Sequence, residues 1–586
     1  MAKTKERSKA KQPQRSFWRT HWLGAAILLL LPFALYALTF QFGFVLDDSL
    51  VFSENNFVKE GLAGLGKIFT TEHFTGYLGA QQDLVAGARY RPLSIATFAV
   101  EYAAYGLRPG LSHFWNVVLY ALTGLLIFRL FYLLVPGQER WYLAFPFLVA
   151  LLFVLHPIHT EVVANIKGRD ELLVLLLSLA TLYFSWRYAL RAGGLNLLAS
   201  GLLFGLALLA KENAVTFLAV IPLTLYLFSQ ASWRRIGWTL VPLLLAFGLY
   251  LAIRINAIGY LYKPDLVVSG IMNDPFLGLG WQEKYATIAS TLGKYLQLLI
   301  FPHPLTHDYY PYQIPIIGWG HWKAWGSLLL YVGLFALALK TFRKGSLVSW
   351  SIFYYLFTLS IVSNIVISLG APMNERFVYV SSLGACALFV YVLTRWAPAS
   401  GQGTSFQRWA GIGLLALMGL GFAYKTITRV PAWEDAMSLN RAAITVSVNS
   451  ARANSYMAYS LYQRGLQEQP IQQMATYQEA LPYVERALEI YPTYTDAITC
   501  KAGIVAGIYQ QTADLNTLLT TFYELLAANH VSFIDQYVEY LIGRADRQLL
   551  VNFFHRAGYE LMALQQKQYP LAIQYLNNGL KVDAGN

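Results

Sequence analysis

The stretch WLGAAILLLLPFALYALTFQ, from Trp22 to Gln41, determines the class of fold. It contains no charged residue, and about twenty helical residues at about 1.5 Å each cross the roughly 30 Å of hydrocarbon in a bilayer. It is too long for the apolar part of a cleaved signal peptide and lacks a clear small-residue cleavage site. We therefore interpret it as a retained membrane anchor, which ends shortly before two adjacent carboxylates, Asp47 and Asp48.

Similar apolar segments recur until about residue 425. The 586 residues are 56% hydrophobic and 13% charged, with a mean hydropathy of +0.42, which is too apolar for a soluble protein of this length. We predict an all-α, polytopic membrane protein. Its eleven or so transmembrane helices lie near residues 22–41, 112–134, 142–156, 171–189, 196–210, 214–229, 237–253, 322–340, 347–369, 377–395 and 409–425. We interpret 283–301 as an interfacial helix, since a twelfth span there would place Arg343 and Lys344 outside.

Basic residues predict the orientation. Cytoplasmic loops are enriched in Lys and Arg, and the first 20 residues carry one acidic residue, Glu6, against seven basic ones: Lys3, Lys5, Arg7, Lys9, Lys11, Arg15 and Arg19. The alternation that follows places four further basic pairs inside: Arg187 with Arg191, Arg234 with Arg235, Arg343 with Lys344, and Arg395 with Arg408. The loops 42–111 and 254–321 and the C-terminal part are then exoplasmic. Because the tail supplies half of the net charge of +12, topology explains most of the excess and no nucleic-acid partner is indicated.

The last part of the chain has the pattern of amphipathic helix pairs. The window from Tyr477 to Pro492 carries the small-residue and proline spacing of a tetratricopeptide repeat (TPR). We pair 450–468 with 472–490, 494–510 with 513–529, and two weaker helices within 548–582. A generic helical bundle is the alternative to a solenoid that binds a peptide or partner protein. The predicted division is a basic tail (1–21), a membrane domain (22–425), a linker (426–449) and a TPR-like domain (450–586).

Charged residues cluster at the predicted exoplasmic helix ends. Partial desolvation would strengthen the attraction of Asp47 and Asp48 for a proton or cation, although the pair could simply mark the end of a helix. Arg91 could bind phosphate oxygens bidentately or snorkel to the interface. Lys211 with Glu212 is either an internal ion pair or part of a polar cavity. Glu375 and Arg376 add another polar helix end on the same face.

The densest cluster runs from His156 to Glu171. It includes His156, His159, Glu161, Arg169 and Asp170. Two histidines near a glutamate resemble metal ligands, but no cysteine or HExxH framework accompanies them, and a polar substrate cavity explains the cluster better than zinc. No Walker loop or Rossmann glycine motif is present. An anionic, lipid-linked donor therefore suits these cations better than a soluble nucleotide.

Besides an enzyme that uses a lipid-linked donor, two classes of function remain open. A transporter or flippase would carry its charges near the bilayer midplane and an internal repeat across its two halves. Here the charges lie at helix ends, and no repeat is evident. A catalytically inactive scaffold that recruits partners through its repeats is the third possibility, against which the Asp47-Asp48 pair argues mildly.

The order of the motifs resembles a known family, the transmembrane and TPR-containing O-mannosyltransferases (TMTC group) of the GT-C glycosyltransferases, including bacterial relatives. The resemblance covers nearly the whole chain. It is carried by Asp47-Asp48, Tyr90-Arg-Pro-Leu93, His113 with Asn116, His156-Pro-Ile-His-Thr-Glu161, Gly168-Arg-Asp170, Lys211-Glu212 with Thr216, Pro304-Leu-Thr-His-Asp308, Ser363-Asn364, Glu375-Arg376 with Tyr379, and Arg429 with Trp433 and Asn454.

The resemblance implies a GT-C membrane core with an exoplasmic active site. It implies inverting transfer of mannose or a similar hexose from a dolichyl or polyprenyl phosphate to a protein Ser or Thr hydroxyl. Asp47 or Asp48 would act as the general base or position the acceptor, and Arg91, Lys211 and Arg376 would stabilise the leaving phosphate. The sugar or acceptor pocket would be lined by His156, His159, Glu161, Arg169, Asp170, Glu212 and Glu375.

The resemblance implies no particular cofactor, and a divalent cation could bind near Asp47 and Asp48. Animal members are longer and carry more repeats than the three pairs predicted here. We therefore expect a bacterial inner-membrane enzyme with a periplasmic active site and a polyprenyl-phosphate donor, rather than an endoplasmic reticulum enzyme with a lumenal site. Its expected partners are the lipid-linked donor, an acceptor protein or peptide held by the TPR-like domain, and membrane lipids.

Overall fold

The computed structural model describes residues 17–82, 89–135, 140–261, 270–395, 405–583 and 585. These residues form helices joined by loops, and none of them lies in a strand. The all-α prediction is thereby confirmed. The basic residues from Lys3 to Arg15 on which the orientation partly depends lie outside the described residues, and the sidedness of the protein stays a prediction.

The helices are numbered in chain order. Helices α1 to α18 span Phe17–Thr20, Trp22–Tyr36, Asn56–Lys59, Leu65–Thr70, Thr75–Leu78, Pro92–Tyr105, Pro109–Leu134, Phe145–Leu155, Thr160–Ala164, Arg169–Arg191, Gly194–Ala210, Phe217–Phe228, Trp233–Ile258, Trp281–Ile300, Trp322–Lys340, Leu347–Ser360, Tyr379–Arg395 and Ser405–Arg429. Helices α19 to α26 span Ala436–Ile444, Ala451–Gly465, Pro470–Ile490, Thr495–Thr512, Leu515–Ala528, Ser532–Leu541, Arg547–His555 and Tyr569–Val582.

Short irregular helical turns connect several of these helices. The 3-10 turns lie at Ala37–Gln41, Gly61–Gly64, Trp141–Leu143, Pro157–His159, Ile166–Gly168, Glu212–Thr216, Glu375–Val378 and Val430–Trp433. Wider π-type turns lie at Ser49–Ser53 and Arg556–Gln565. Four of the 3-10 turns, those beginning at Pro157, Ile166, Glu212 and Glu375, coincide with charged clusters identified in the sequence.

Each predicted transmembrane segment overlaps an apolar helix, although the segment 347–369 is helical only over Leu347–Ser360. Within the described residues, seven segments are long and apolar enough to cross a membrane: Trp22–Gln41, Pro109–Leu134, Ile166–Arg191, Trp233–Ile258, Trp322–Lys340, Glu375–Thr394 and Trp409–Trp433. The pair Phe145–Leu155 and Pro157–Ala164, bent by 50°, forms an eighth candidate. Helices α11 and α16 and the segment Glu212–Phe228 are apolar but shorter. The count of eleven spans therefore stays a prediction, and α14, the predicted interfacial helix, is not among the long apolar segments.

The membrane core is built around α10. This helix packs against α7 and α11, and α17 packs against α8 and α16. Its start depends on Gly168, because a Cβ at that position would overlap the carbonyl oxygen of Val162. The glycine permits the tight turn that brings Lys167 and Asp170 to the end of the bundle where the other charged turns meet.

The C-terminal part consists of helices packed in succession, as in a TPR-like solenoid. The predicted pairs correspond to α20 with α21, α22 with α23, and α25 with α26. The sequence analysis did not identify α24. The segment predicted as a linker, 426–449, is largely helical, since it contains the end of α18, the turn Val430–Trp433 and α19. The sequence of this segment has no long amphipathic pattern, so its helices were not predicted.

The loop after α14 joins the membrane core to the helical repeats. The amide of Tyr312 donates to the carbonyl of Asn449 at 2.8 Å, and the amide of Ala451 donates to the carbonyl of Pro311 at 2.9 Å. The hydroxyl of Ser447 donates to the carbonyl of Asp308 at 2.6 Å. These bonds fix the first repeat helix, α20, beside the charged helix ends of the core.

Candidate active site

The loop that carries the two aspartates is held in an unusual conformation. Leu46 has a left-handed φ of 48°, which costs a bulky L residue about 1–3 kcal/mol and persists only where the surroundings impose it. The amide of Gly43 donates to the carbonyl of Glu434 at 3.1 Å. Asp48 accepts hydrogen bonds from the amides of Val45, at 3.0 Å, and Lys167, at 2.8 Å. The fully buried Asp48 therefore fastens the loop to the start of α10.

The two aspartates differ in their availability. The Asp47 side chain is 41% exposed, and its nearest cation is Lys167, with Nζ 3.9 Å from Oδ2. Partial burial raises the pKa of Asp47, but the nearby charges of Lys167, Arg376 and Arg452 outweigh it and hold the pKa below its ordinary value. Asp47 is thus ionised at neutral pH and accessible, whereas both oxygens of Asp48 are engaged by the backbone.

The pKa of Asp48 predicts a pH-dependent stability. Burial raises this pKa from 3.8 to about 7, against the opposing effect of the amides of Val45 and Lys167. A carboxyl with a higher pKa when folded binds its proton more tightly in the folded state. Asp48 therefore stabilises the folded protein fully at pH values below the pKa that it has in the unfolded chain. This stabilisation is lost as the pH rises through about 7, its pKa in the folded protein.

We accordingly expect Asp48→Asn to melt below the wild type at pH 5, because its amide group faces a backbone donor. The difference in Tm should narrow between pH 5 and pH 8, as only the wild type titrates. Melting curves in detergent across this range measure the effect. A difference that widens with pH would contradict it, since that is the behaviour of a carboxyl with a lowered pKa.

Asp170 is the centre of a buried ion network at the start of α10. Its Oδ2 lies 2.9 Å from Arg91 Nη1, 3.7 Å from Lys211 Nζ and 3.9 Å from Lys167 Nζ, and its side chain is 2% exposed. Lys211 also contacts Glu171. The network joins α10, the turn before α12 and the start of α6, and it ends at Asp47 through Lys167.

The predicted phosphate ligands are already paired with carboxylates. Arg91 donates to both oxygens of Glu212, at 2.9 and 2.5 Å, in addition to Asp170. Arg376 donates through Nη1 at 2.5 Å, and through its amide at 3.2 Å, to Glu161. The Arg376 side chain is 20% exposed, and its charge acts on Asp47. Arg376 therefore reaches the site directly, while Arg91 contributes through the network.

Other predicted pocket residues are buried and bonded within the protein. His156 contacts the carbonyl of Leu299 at 3.1 Å and accepts from the amide of Ile158. The ring nitrogens of His159 contact the hydroxyls of Tyr120 and Ser382, each at 2.8 Å. In these positions the two histidines join neighbouring helices.

Arg169 and Glu375 are likewise engaged. Arg169 pairs with Glu101 and donates to Asn116 Oδ1 at 2.9 Å. Glu375 accepts from the amide of Thr306 at 2.6 Å and from the hydroxyl of Tyr309 at 2.9 Å. Arg169 thus joins α10 to α6 and α7, and Glu375 joins the start of α17 to the loop after α14.

The structure adds three cations that the sequence analysis did not single out. Lys167 and Arg89 lie within or beside the charged motifs, but nothing in the sequence fixes their distance from Asp47. Arg452 lies on α20, in the domain to which no catalytic residue was assigned, and it donates to Asp308 Oδ2 at 2.6 Å and stacks on Tyr310. Only the fold brings Arg452 near Asp47, because about 400 residues separate them in the sequence.

The surroundings of Asp47 are cationic, and a divalent cation near Asp47 and Asp48 stays a prediction. Both Asp48 oxygens accept backbone hydrogen bonds, and Asp47 faces lysine and arginine side chains. In the described ranges no group of three His, Cys, Asp or Glu side chains could hold a metal ion. The site is instead an exposed carboxylate surrounded by positive charge, an arrangement that can position a hydroxyl next to an anion.

Comparisons with known proteins give consistent relatives. The chain is 26% identical to the human protein O-mannosyl-transferase TMTC1 over 532 residues, which cover 81% of this chain and 56% of that protein. It is 23% identical to mouse TMTC3, covering 77% of this chain and 49% of that protein. A segment of 138 residues is 42% identical to human TMTC2, covering 22% of this chain and 16% of that protein.

The chain spans about half the length of the curated relatives it matches. No family model and no solved structure matches it. The similarity nevertheless extends over about four fifths of the chain, membrane helices included. The resemblance that the motifs carried is confirmed: this chain is similar over most of its length to the protein O-mannosyl-transferases of the TMTC group.

Proposed function

We propose that this protein is a GT-C membrane glycosyltransferase that moves mannose or a similar hexose from a polyprenyl or dolichyl phosphate to a Ser or Thr hydroxyl of a protein. The observation that carries the proposal is the exposed Asp47 carboxylate held among Lys167, Arg376 and Arg452. Such a site can bind a hydroxyl and an anionic leaving group side by side. The activity for which the TMTC relatives are named points to the same reaction.

The proposed reaction is a single displacement. The acceptor oxygen forms a bond to the anomeric carbon while the bond from that carbon to the phosphate oxygen breaks. The electron pair leaves with the lipid phosphate, whose charge rises from about −1 to −2, and the hydroxyl proton passes to Asp47. Attack opposite the leaving group inverts the anomeric centre.

The surrounding cations have two effects on this step. Lys167 and Arg376 stabilise the additional negative charge of the leaving phosphate. In the free protein the same cations hold the pKa of Asp47 low and make it a weak base. A bound donor phosphate would offset their charge and raise this pKa toward the range in which a carboxylate accepts a proton effectively. Donor binding would thus activate Asp47.

An apolar groove supports a lipid-linked donor. Two adjoining cavities of about 290 and 330 Å³ share Ala219 and Phe357 and run between α12 and α16. One end is lined by Thr216, close in sequence to the charged pair Lys211-Glu212, and the other by Phe342. A polyprenyl chain in this groove would leave its phosphate at the charged helix ends.

The helical repeats have a proposed role in holding the acceptor or a partner protein. Their first helix contributes Arg452 next to Asp47, and the bonds of Ser447 and Ala451 fix this helix to the loop after α14. A peptide bound along the repeats would therefore approach the carboxylate. The periplasmic location, in a bacterial inner membrane, remains part of the proposal.

Mass spectrometry of exported proteins tests the function in cells. Strains that express the wild-type chain should carry hexose on Ser or Thr of one or more exported proteins, and strains without the gene should lack that modification. Complementation with Glu54→Gln, an exposed position in the same loop as Asp47, provides a matched control. Identical glycoproteomes with and without the gene would contradict the proposal.

A further inference from the structure

Two buried side chains, four residues apart, carry unpaired N–H groups that point to a ligand. Arg429, the last residue of α18, is 7% exposed, and Trp433, in the turn that follows, is 1% exposed. Among the described residues, Arg429 Nε and Nη2 and Trp433 Nε1 have no hydrogen-bond partner. Buried polar groups in native proteins are almost always bonded, and an unpaired one indicates a role or a bound group.

The absence of a partner is most significant for the guanidinium. A buried charge without a counter-ion strongly destabilises a fold. The carboxylate of Glu375 acts electrostatically on Arg429, but no ion pair joins the two within the described part of the chain. The bonds from the amide of Thr306 and the hydroxyl of Tyr309 both end on Oε1 of Glu375. Nε and Nη2 of Arg429 have no hydrogen-bond acceptor among the described residues and can therefore bind an anion from outside.

A third polar group faces the same region. Both ring nitrogens of His307, which is 2% exposed, lack a partner among the described residues. Its ring centroid lies 6.2 Å from that of Trp433. The charges of Arg429 and Asp47 both act on it, and burial lowers its pKa to about 3, so it is neutral and can offer one N–H. His307 is therefore within electrostatic range of both the unpaired guanidinium and the candidate catalytic carboxylate.

We propose that Arg429, Trp433 and His307 form a subsite for a phosphate group. The Nε and Nη2 atoms form the edge of a guanidinium that binds two oxygens in parallel. The indole and imidazole N–H groups require further acceptors. A phosphate monoester, which is the form of the leaving lipid phosphate, has three non-ester oxygens to accept these hydrogen bonds, whereas a carboxylate has only two oxygens.

This subsite would complement the cations that act on Asp47. Arg91 and Lys211 are fully engaged by Glu212, Asp170 and Glu171, so they are poorly placed to change partners. Arg429 needs no exchange of partners to bind an anion. The assignment of the subsite to the leaving lipid phosphate rests on the proposed function. Binding of a phosphate group by the subsite can be tested without any transfer reaction.

The test measures equilibrium binding of farnesyl phosphate to the purified full-length chain in detergent, with farnesol as the uncharged match. Arg429→Gln should weaken binding of farnesyl phosphate by about ten- to hundredfold, the loss expected for a charge-assisted bidentate contact. Binding of farnesol should not change. Lys425→Gln removes the same charge one turn earlier on α18 and should stay within about twofold of the wild type.

Trp433→Phe keeps an aromatic ring and removes the N–H together with part of the indole volume, and we expect an intermediate loss of affinity. It also provides a second route to the answer if Arg429→Gln fails to fold. Without ligand, Arg429→Gln should melt at or above the wild-type Tm, because an unpaired buried charge has been removed. A large fall in its Tm, with wild-type affinity in Trp433→Phe, would show an internal ion-pairing role and overturn the proposal.

The remaining outcomes distinguish a free phosphate from a lipid headgroup as the ligand. They also distinguish failure of the subsite from failure of the proposed function. Displacement by inorganic phosphate at millimolar concentration would identify a free-phosphate site, and its failure to compete would identify a lipid headgroup site. Equal affinities in Arg429→Gln and Lys425→Gln would refute the subsite even if the protein transfers sugar. Arg429-dependent binding in a protein that transfers none would refute the proposed function and leave the subsite standing.

Discussion

Replacing Asp47 by Asn is expected to lower the rate of sugar transfer by about 100- to 10,000-fold, the range for loss of a general base. Asn keeps the size of the side chain but cannot accept the hydroxyl proton. Stability should hardly change, because Asp47 is 41% exposed and its contact with Lys167 is as long as 3.9 Å. Initial transfer rates of the purified wild type and variant measure the effect, after melting curves have shown that the two proteins have the same Tm.

Two variants serve as controls for this result. Glu54→Gln removes a carboxylate from an exposed position of the same loop and should retain the wild-type rate. Asp48→Asn should lower the Tm while the transfer rate per folded molecule stays close to that of the wild type. The reason is that Asp48 holds the loop through the amides of Val45 and Lys167. A rate for Asp47→Asn within about threefold of the Glu54→Gln rate would remove Asp47 from the reaction.

Replacing Asp170 by Asn is expected to cost about 3–5 kcal/mol of unfolding free energy, the range for breaking a buried ion pair from one side. Arg91, Lys167 and Lys211 would then repel one another around a neutral amide, in a place that is 2% exposed. The change should appear as a lower midpoint in denaturant titrations of the protein in mixed micelles.

The matched control is Glu60→Gln. Glu60 pairs with Lys67, but their side chains are 36% and 54% exposed, and exposed pairs contribute little to stability because water and salt screen them. We expect this variant to unfold near the wild-type midpoint. Similar midpoints for Asp170→Asn and Glu60→Gln would mean that the Asp170 network is not a structural element.

Hydrophobic length was sufficient to locate the apolar helices, since every predicted segment overlaps one, but it extended the segment 347–369 beyond the end of its helix at Ser360. The number of spans could not be derived from the sequence, because several helices are close to the minimum length that crosses a bilayer. Helices α11, α12 and α16 are short, and the helix from Phe145 is followed by a bend. Composition also could not separate a linker from the short helix α19, whose order depends on packing against α20.

The candidate site was predictable as a region but not as a set of roles. Charges at helix ends were visible in the sequence, yet their pairing depends on distances that only the fold sets. The adjacent Asp47 and Asp48 look equivalent in sequence, whereas one is exposed and the other accepts two backbone hydrogen bonds. Arg452 was missed because it belongs to the repeats, and Arg429 stood out only through the family resemblance.

Transfer in a reconstituted system tests the central claim most directly. Purified protein in proteoliposomes would receive a polyprenyl or dolichyl phosphate carrying radiolabelled mannose, together with extracts of exported proteins as acceptors. The account predicts that label passes to Ser or Thr residues, that Glu54→Gln supports the same rate, and that Asp47→Asn supports almost none. Absence of transfer by folded wild-type protein, or equal transfer by Asp47→Asn, would contradict it.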